Sequence, residues 1–153
     1  MELDEIDRKL LAEIQTEGRL SNAELARRLN LSPPGAHARL KKLEDAGVIK
    51  QYVALLDREK IGFDLLCFIF IRMQVHEIKS LDTFAHHINS FEEVLECHNL
   101  TGEFDFILKV VVKNRAGLQN FVQNKLIPLH GIAQITTSVL LNTVKESPVL
   151  PIR

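Results

Sequence analysis

Two helix-start signals, at Ser21 and at Ser32, stand close enough together to dictate how the first third of the chain is arranged. Ser21-Asn22-Ala23-Glu24 has the form of a capping box, in which the serine hydroxyl and the glutamate carboxylate each satisfy a free backbone N–H. Leu25, Ala26 and Leu29 then supply a buried face. The second signal is Ser32 followed by Pro33 and Pro34, which suit a first helical turn because the N–H groups there lack partners anyway. Only Asn30-Leu31 separates the two helices. Upstream, Ile6, Leu10, Leu11 and Ile14 recur at helical spacing as far as Gly18. Downstream, Ala36, Leu40 and Leu43 form a stripe that stops before Gly47. Three helices with so short a turn between the second and third match the helix-turn-helix pattern, with a bare three-helix bundle as the alternative.

The placement of charge separates these two readings. The net charge of −1 argues against a chain that coats nucleic acid indiscriminately. Yet Arg27, Arg28, Arg39, Lys41 and Lys42 fall between Leu25 and Leu43 with no acidic residue among them, while Glu13, Glu17, Glu24, Glu44 and Asp45 flank the stretch. With Ala36, Leu40 and Leu43 turned inward, Pro34, His37, Ala38 and Lys41 share a separate face of the third helix. Short side chains on such a face let a helix approach base edges, and flexible or forked cations beside it meet phosphate. The candidate contacts to double-stranded DNA are therefore Arg27, Arg28, Ser32, Pro34, His37, Ala38, Arg39, Lys41 and Lys42.

Beyond Gly47, Val48 to Leu56 reads as a β-strand closed by Asp57-Arg58-Glu59-Lys60 and Gly62, and the domain boundary is placed around it. The expected division is a helix-turn-helix domain at 1–47, a linking strand and hinge at 48–62, and a second domain at 63–153. The second domain alternates strand Leu65 to Val75, helix Ser80 to Ser90, strand Val94 to Leu100, strand Phe104 to Val112, helix Ala116 to Lys125 and strand Ile132 to Val144. Leu81, Phe84, Ala85 and Ile88 mark the first of these helices, and Leu118, Phe121, Val122 and Leu126 the second. The βαββαβ order predicts a ferredoxin-like arrangement with both helices on one face of an antiparallel sheet, so the fold class is α+β.

That sheet has one face too many. Leu65, Cys67, Ile69 and Ile71 alternate with Leu66, Phe68 and Phe70, and Ile107 and Val111 oppose Phe104, Phe106, Leu108 and Val110, so both faces are apolar where helices cover one. At about 25 cal/mol per Å², leaving such side chains in water forfeits several kcal/mol, and the open face is expected to meet the sheet of a second copy in a homodimer.

Other classes find less support. Cys67 and Cys97 form no C-x-x-C pair and are expected as two buried thiols. His86-His87 and Cys97-His98 point apart on their elements, so no metal site is indicated. The longest apolar run, Leu65 to Ile71, is far shorter than a membrane helix, and the acidic start resembles no signal peptide, so no membrane association and a cytoplasmic location are expected. No nucleophile with a base, paired carboxylates or phosphate loop suggests an enzyme, and no cofactor is expected.

Taken together, Leu3 to Leu11, Leu25-Ala26 with Leu31-Ser32-Pro33, Arg39 to Glu44, Gly47-Val48-Ile49 and Thr101-Gly102-Glu103-Phe104-Asp105 resemble the Lrp/AsnC (leucine-responsive, feast/famine) family of transcriptional regulators over essentially the whole chain. The resemblance implies a winged or helix-turn-helix DNA reader and a βαββαβ effector domain. It also implies dimers that commonly assemble into rings, and amino acids or related metabolites bound between effector domains. Pro34, Gly35, His37 and Ala38 depart from the Ser, Thr or Arg of many members, so base preference does not carry over. Within the Thr101 to Asp105 turn, Gly102 can take positive φ and expose N–H donors for a ligand carboxylate, with Asp105 as acceptor for an ammonium or as a cap on the turn. Thr136, Thr137 and Ser138 on the last strand add hydroxyls, of which Thr136 and Ser138 join Thr101, Gly102, Glu103, Phe104 and Asp105 as candidate effector contacts. The alternatives are a constitutive architectural DNA-binding protein without an effector, and an amino-acid-binding module whose helical domain binds protein.

Overall fold

The computed structural model describes residues 2–74 and 78–152. Contacts divide the chain into two units, Met1–Leu55 with Val144–Arg153, and Leu56–Thr143. The chain thus leaves the first unit after Leu55 and returns to it at Val144.

In the first unit, α1 (Glu5–Thr16), α2 (Asn22–Leu29) and α3 (Pro33–Asp45) enclose a core of Leu10, Leu11, Leu25 and Leu43, with Ile14, Leu29, Leu40 and Ile49 packed against it. Ser32 caps α3, its hydroxyl accepting from the Gly35 N–H at 3.2 Å, with Pro33 and Pro34 opening the helix. The α2–α3 turn depends on Asn30, whose φ of 54° is left-handed, a conformation asparagine tolerates. The capping box expected at Ser21 is half formed. Its hydroxyl accepts from the Glu24 N–H at 3.1 Å, but the Glu24 carboxylate turns to Arg27 and Arg28. The reciprocal pair occurs instead at α1, between Asp4 and Asp7.

The last residues, assigned from sequence to the second domain, belong with the first unit. The Gln15 side chain accepts from the Leu150 N–H at 2.7 Å and donates to the Leu150 carbonyl at 3.3 Å, and Ile152 packs on the helical core.

The second unit contains β1 (Leu65–Met73), α4 (Ile78–Ser90), β2 (Val94–Asn99), β3 (Phe106–Val112), α5 (Arg115–Phe121) and β4 (Ile132–Val139). The sheet is antiparallel in the order β2-β3-β1-β4, the ferredoxin-like arrangement, with bulges at Arg72/Met73 and at Val94/Glu96. Cys67, Ile69, Ile71, Phe106, Leu108 and Val110 form its inner face with Phe84, Ile88, Phe121 and Leu126. On the outer face Leu66 and Val111 are buried while Phe68, Phe70 and Ile107 are half-buried.

Several expectations are corrected. Val48 to Leu56 forms no strand, because a strand needs a partner ladder and none of the described residues supplies one; Val53, Leu55 and Leu56 are exposed. Cys97 is exposed, because it lies on the edge strand β2; Cys67, on a central strand, is buried. The second helix of this domain widens after Phe121 into a π-turn, Val122–Leu126, which brings the fully buried Phe121 and Leu126 toward one side although five positions apart. β3 begins at Phe106 and β4 ends at Val139, both inside the expected ranges. The expected reach of β1 to Val75, like the Leu81 side chain, lies outside the described residues.

The tail contact yields a stability test. Ile152→Ala is expected to lower the stability of the first unit by about 1 kcal/mol, the cost of truncating a half-buried aliphatic side chain. Amide exchange should accelerate in α1 and stay unchanged in β1.

Candidate functional site

α3 buries Ala36 and Leu43 and leaves Pro34, His37, Ala38 and Lys41 exposed on its other side. Lys41 has no ion-pair partner among the described residues. Pro34 and Ala38 keep that face low, and Gly35 lies close under Ser32, where an added Cβ would come within 3.0 Å of the serine oxygen.

Arg39 and Lys42 are both drawn toward carboxylates of α1. Arg39 Nη1 lies 2.6 Å from Asp4 Oδ2 and 2.7 Å from Asp7 Oδ1, and Lys42 Nζ is 3.6 Å from Asp7 Oδ2. Asp7 is the one buried charged residue among those described, with no exposed surface. A carboxylate removed from water is tolerable only when paired and hydrogen-bonded, and Arg39 supplies the pairing from α3 to α1. The Arg39 hydrogen bond also holds the Asp4 carboxyl below its ordinary range.

Arg28 is held by three carboxylates, Glu13 at 2.8 Å, Glu17 at 2.7 Å and Glu24 at 3.0 Å, and ties α2 to α1. Arg27 binds Glu24 at 2.7 Å but keeps 72% of its side chain exposed. Hydrogen bonds from Arg27 and then Arg28 pull the Glu24 carboxyl down to about 2. With the folded value depressed, this link is fully present above the ordinary glutamate value of 4.5 and is lost only as pH falls toward about 2. Of the sequence candidates, Arg28 and Arg39 therefore face carboxylates of their own unit, while Pro34, His37, Ala38 and Lys41 share one exposed surface. Sequence reasoning passed over Asn22, whose side-chain amide lies 3.1 Å from His37 Nδ1. Its position at the start of α2, beside the turn into α3, was the available signal.

In the second unit the 101–105 turn folds onto β1. Gly102 has φ of 120°, a conformation in which an L side chain is strained. Glu103 pairs with Arg72 at 2.6 Å, and the Arg72 guanidinium lies over the Phe104 ring, which itself meets Phe70 at 5.3 Å between centroids. One Asp105 carboxylate oxygen accepts from the Met73 N–H at 2.7 Å, and the Asp105 N–H donates to the Ile71 carbonyl at 2.9 Å. Asp105 thus caps the end of β1. The N–H groups of Thr101, Gly102, Glu103 and Phe104 donate to no atom of the described residues. Thr136 and Ser138 stand opposite Phe70 and Phe68 across β1 and β4. A groove of about 690 Å³ lies toward the far end of β3, lined by Leu56, Ile61, Phe63, Leu95 and Val111 among others, and contains none of the candidate effector residues.

A helix-turn-helix unit with an exposed, low-profile third helix, joined to a separate ferredoxin-like unit, defines a two-domain DNA-binding transcriptional regulator. Residues 3–50 match the family model for winged helix-turn-helix DNA-binding domains, and residues 66–150 the model for the Lrp/AsnC ligand binding domain. The chain belongs to the Lrp/AsnC family, whose members are regulators and not enzymes. It is 37% identical to the leucine-responsive regulatory protein of Rhizobium meliloti over 147 residues, covering 96% of this chain and 94% of that one. It is 33% identical to the transcriptional regulator AzlB of Bacillus subtilis over 150 residues, covering 98% and 96%. A crystal structure of a Neisseria meningitidis transcriptional regulator in complex with L-Met superimposes with a TM-score of 0.94 at 37% identity, covering 98% of this chain and 97% of that one. None of the helices among the described residues is long and apolar enough to cross a membrane.

Removing Arg39 leaves a buried carboxylate short of its main partner. Arg39→Ala is expected to destabilise the first unit by on the order of 3 kcal/mol, measured by chemical denaturation, whereas Lys41→Ala should leave stability within about 0.5 kcal/mol of the unmodified protein.

Proposed function

We propose that this regulator binds operator DNA as a homodimer through the exposed face of α3, and that a small amino acid or related metabolite at the 101–105 turn alters its assembly or DNA affinity. The observation that carries the effector reading is the pairing pattern of that turn. Its side chains are closed onto β1 by Arg72 and by the Met73 N–H, while the N–H groups from Thr101 to Phe104 have no partner among the described residues. Such donors suit a carboxylate, and the Asp105 carboxylate nearby suits an ammonium. Thr136 and Ser138 lie on the same sheet and are further contacts in this proposal. The Neisseria relative crystallised with L-Met makes methionine a natural member of the first panel.

On the DNA side, Lys41 and Lys42 are the cations of α3 best placed for phosphate, with Arg27 beside them and Ser32 at the helix start. His37, Pro34 and Ala38 face the groove. Arg28 and Arg39 act through their carboxylate pairs, setting the angle of the helices. The outer sheet face, with Phe68, Phe70 and Ile107 half-buried, is the dimer surface, and dimers assemble further into rings in the cytoplasm. A ligand changes DNA affinity only by the difference in its affinity for two assemblies.

A panel of amino acids including methionine is expected to raise the melting temperature and to change operator affinity. Asp105→Asn, which retains an acceptor for the Met73 N–H but removes the charge, should abolish the thermal shift and leave basal DNA binding intact. No thermal shift and no change in affinity across the panel would favour a constitutive architectural protein.

The dimer has its own test. Phe68→Glu places an unpaired charge in the proposed interface, at a cost of about several kcal/mol, and should yield monomers or unfolded chains in sedimentation. A folded monomer of the unmodified chain at micromolar concentration would contradict the dimer.

A further inference from the structure

Asn22 and His37 make the one side-chain hydrogen bond between α2 and α3 among the described residues, with Nδ2 of the amide 3.1 Å from Nδ1 of the ring. Both residues are exposed, so the bond adds little to a domain held by the buried contacts of Leu25, Ala36 and Leu43. What it does control is the ring. An amide nitrogen is a donor only, so Nδ1 must accept. A neutral imidazole whose Nδ1 accepts carries its proton on Nε2. His37 is exposed on the same face of α3 as Pro34, Ala38 and Lys41.

We infer that Asn22 is a positioning residue that sets His37 as an Nε2–H donor, and that His37 thereby selects guanine at one position of each operator half-site. This rests on α3 being the element that enters the major groove. In that groove a lone donor is best received by guanine, whose O6 and N7 are both acceptors and stand side by side. Adenine sets its N6 amino donor beside N7, thymine offers the single acceptor O4 beside its methyl group, and cytosine presents the N4 donor alone. Closing the groove over the Asn22–His37 pair excludes water and strengthens the bond at the moment it matters. A ring freed from Asn22 can turn, or exchange its proton to Nδ1 and offer Nε2 as an acceptor, and so loses the distinction.

Selection from random duplex DNA by the full-length protein tests this. The unmodified chain is expected to select guanine at one symmetric pair of positions. His37→Ala should reduce that preference about tenfold and leave the rest of the site unaltered. Asn22→Ala should weaken the same preference while leaving the melting temperature unchanged, which a merely structural role for Asn22 would not produce. Lys41→Ala should weaken binding to all sequences alike. In the free protein at neutral pH, nitrogen chemical shifts should show Nδ1 of His37 unprotonated, with the two tautomers mixing in Asn22→Ala. Selected sites unaffected by His37→Ala, or a proton found on Nδ1, would overturn the inference and leave the DNA-reading role of α3 standing. Failure of the unmodified chain to select any sequence would overturn both.

Discussion

The buried carboxylate of Asp7 is the constraint on which the first unit is built. It sits at the third position of α1, is sealed from water, and takes Arg39 from the middle of α3 at 2.7 Å. An unpaired charge there would cost several kcal/mol, so α1 and α3 are held at the one angle that keeps the pair closed. Apolar contacts among Leu10, Leu25 and Leu43 can slide by fractions of an ångström at modest cost, whereas the charge-assisted hydrogen bonds from Arg39 Nη1 to Asp4 and Asp7 are far more sensitive to distance. Arg28, gripped by Glu13, Glu17 and Glu24, does the same for α2 against α1. The face of α3 that meets solvent is therefore fixed by ionic ties to α1, and Lys41, with Arg27 still largely exposed, is left on the solvent side.

The second unit shows the same economy of polar groups. Its central strands are largely apolar on both faces, and one set of polar contacts lies at one end of β1, where Asp105 caps the Met73 N–H and Glu103 holds Arg72. Closing the turn's side chains in this way leaves its backbone donors as the exposed chemistry.

The fold was legible where local signals agree. The start signals at Ser21 and Ser32, the two prolines and the helical spacing of Ala36, Leu40 and Leu43 each point to the same turn, and the βαββαβ order of the elements pointed to the antiparallel sheet. The corrections share a different cause. The pairing of Arg39 with Asp7 was hidden because charge on a helix flank carries no label of its partner, and Asp7 lies far away in sequence. Glu24 fits a capping box by spacing, yet two arginines in the next turn compete for it more strongly than one backbone N–H. Val48 to Leu56 has strand composition but no ladder to join, and the fit of Phe121 and Leu126 to one core is visible only once β3 is beneath them.

Apart from the strand expected at Val48 to Leu56, sequence by itself determined the elements, their order and the family, because caps, turn residues and hydrophobic period act over a few residues and are written contiguously. Only the tertiary structure decided which cations are spent on internal carboxylates, that the C-terminal residues return to α1, and that the amide of Asn22 meets the ring of His37. Those outcomes depend on distances between residues remote in the chain, and hydrogen bonds and ion pairs fall off too steeply with distance for spacing alone to assign them.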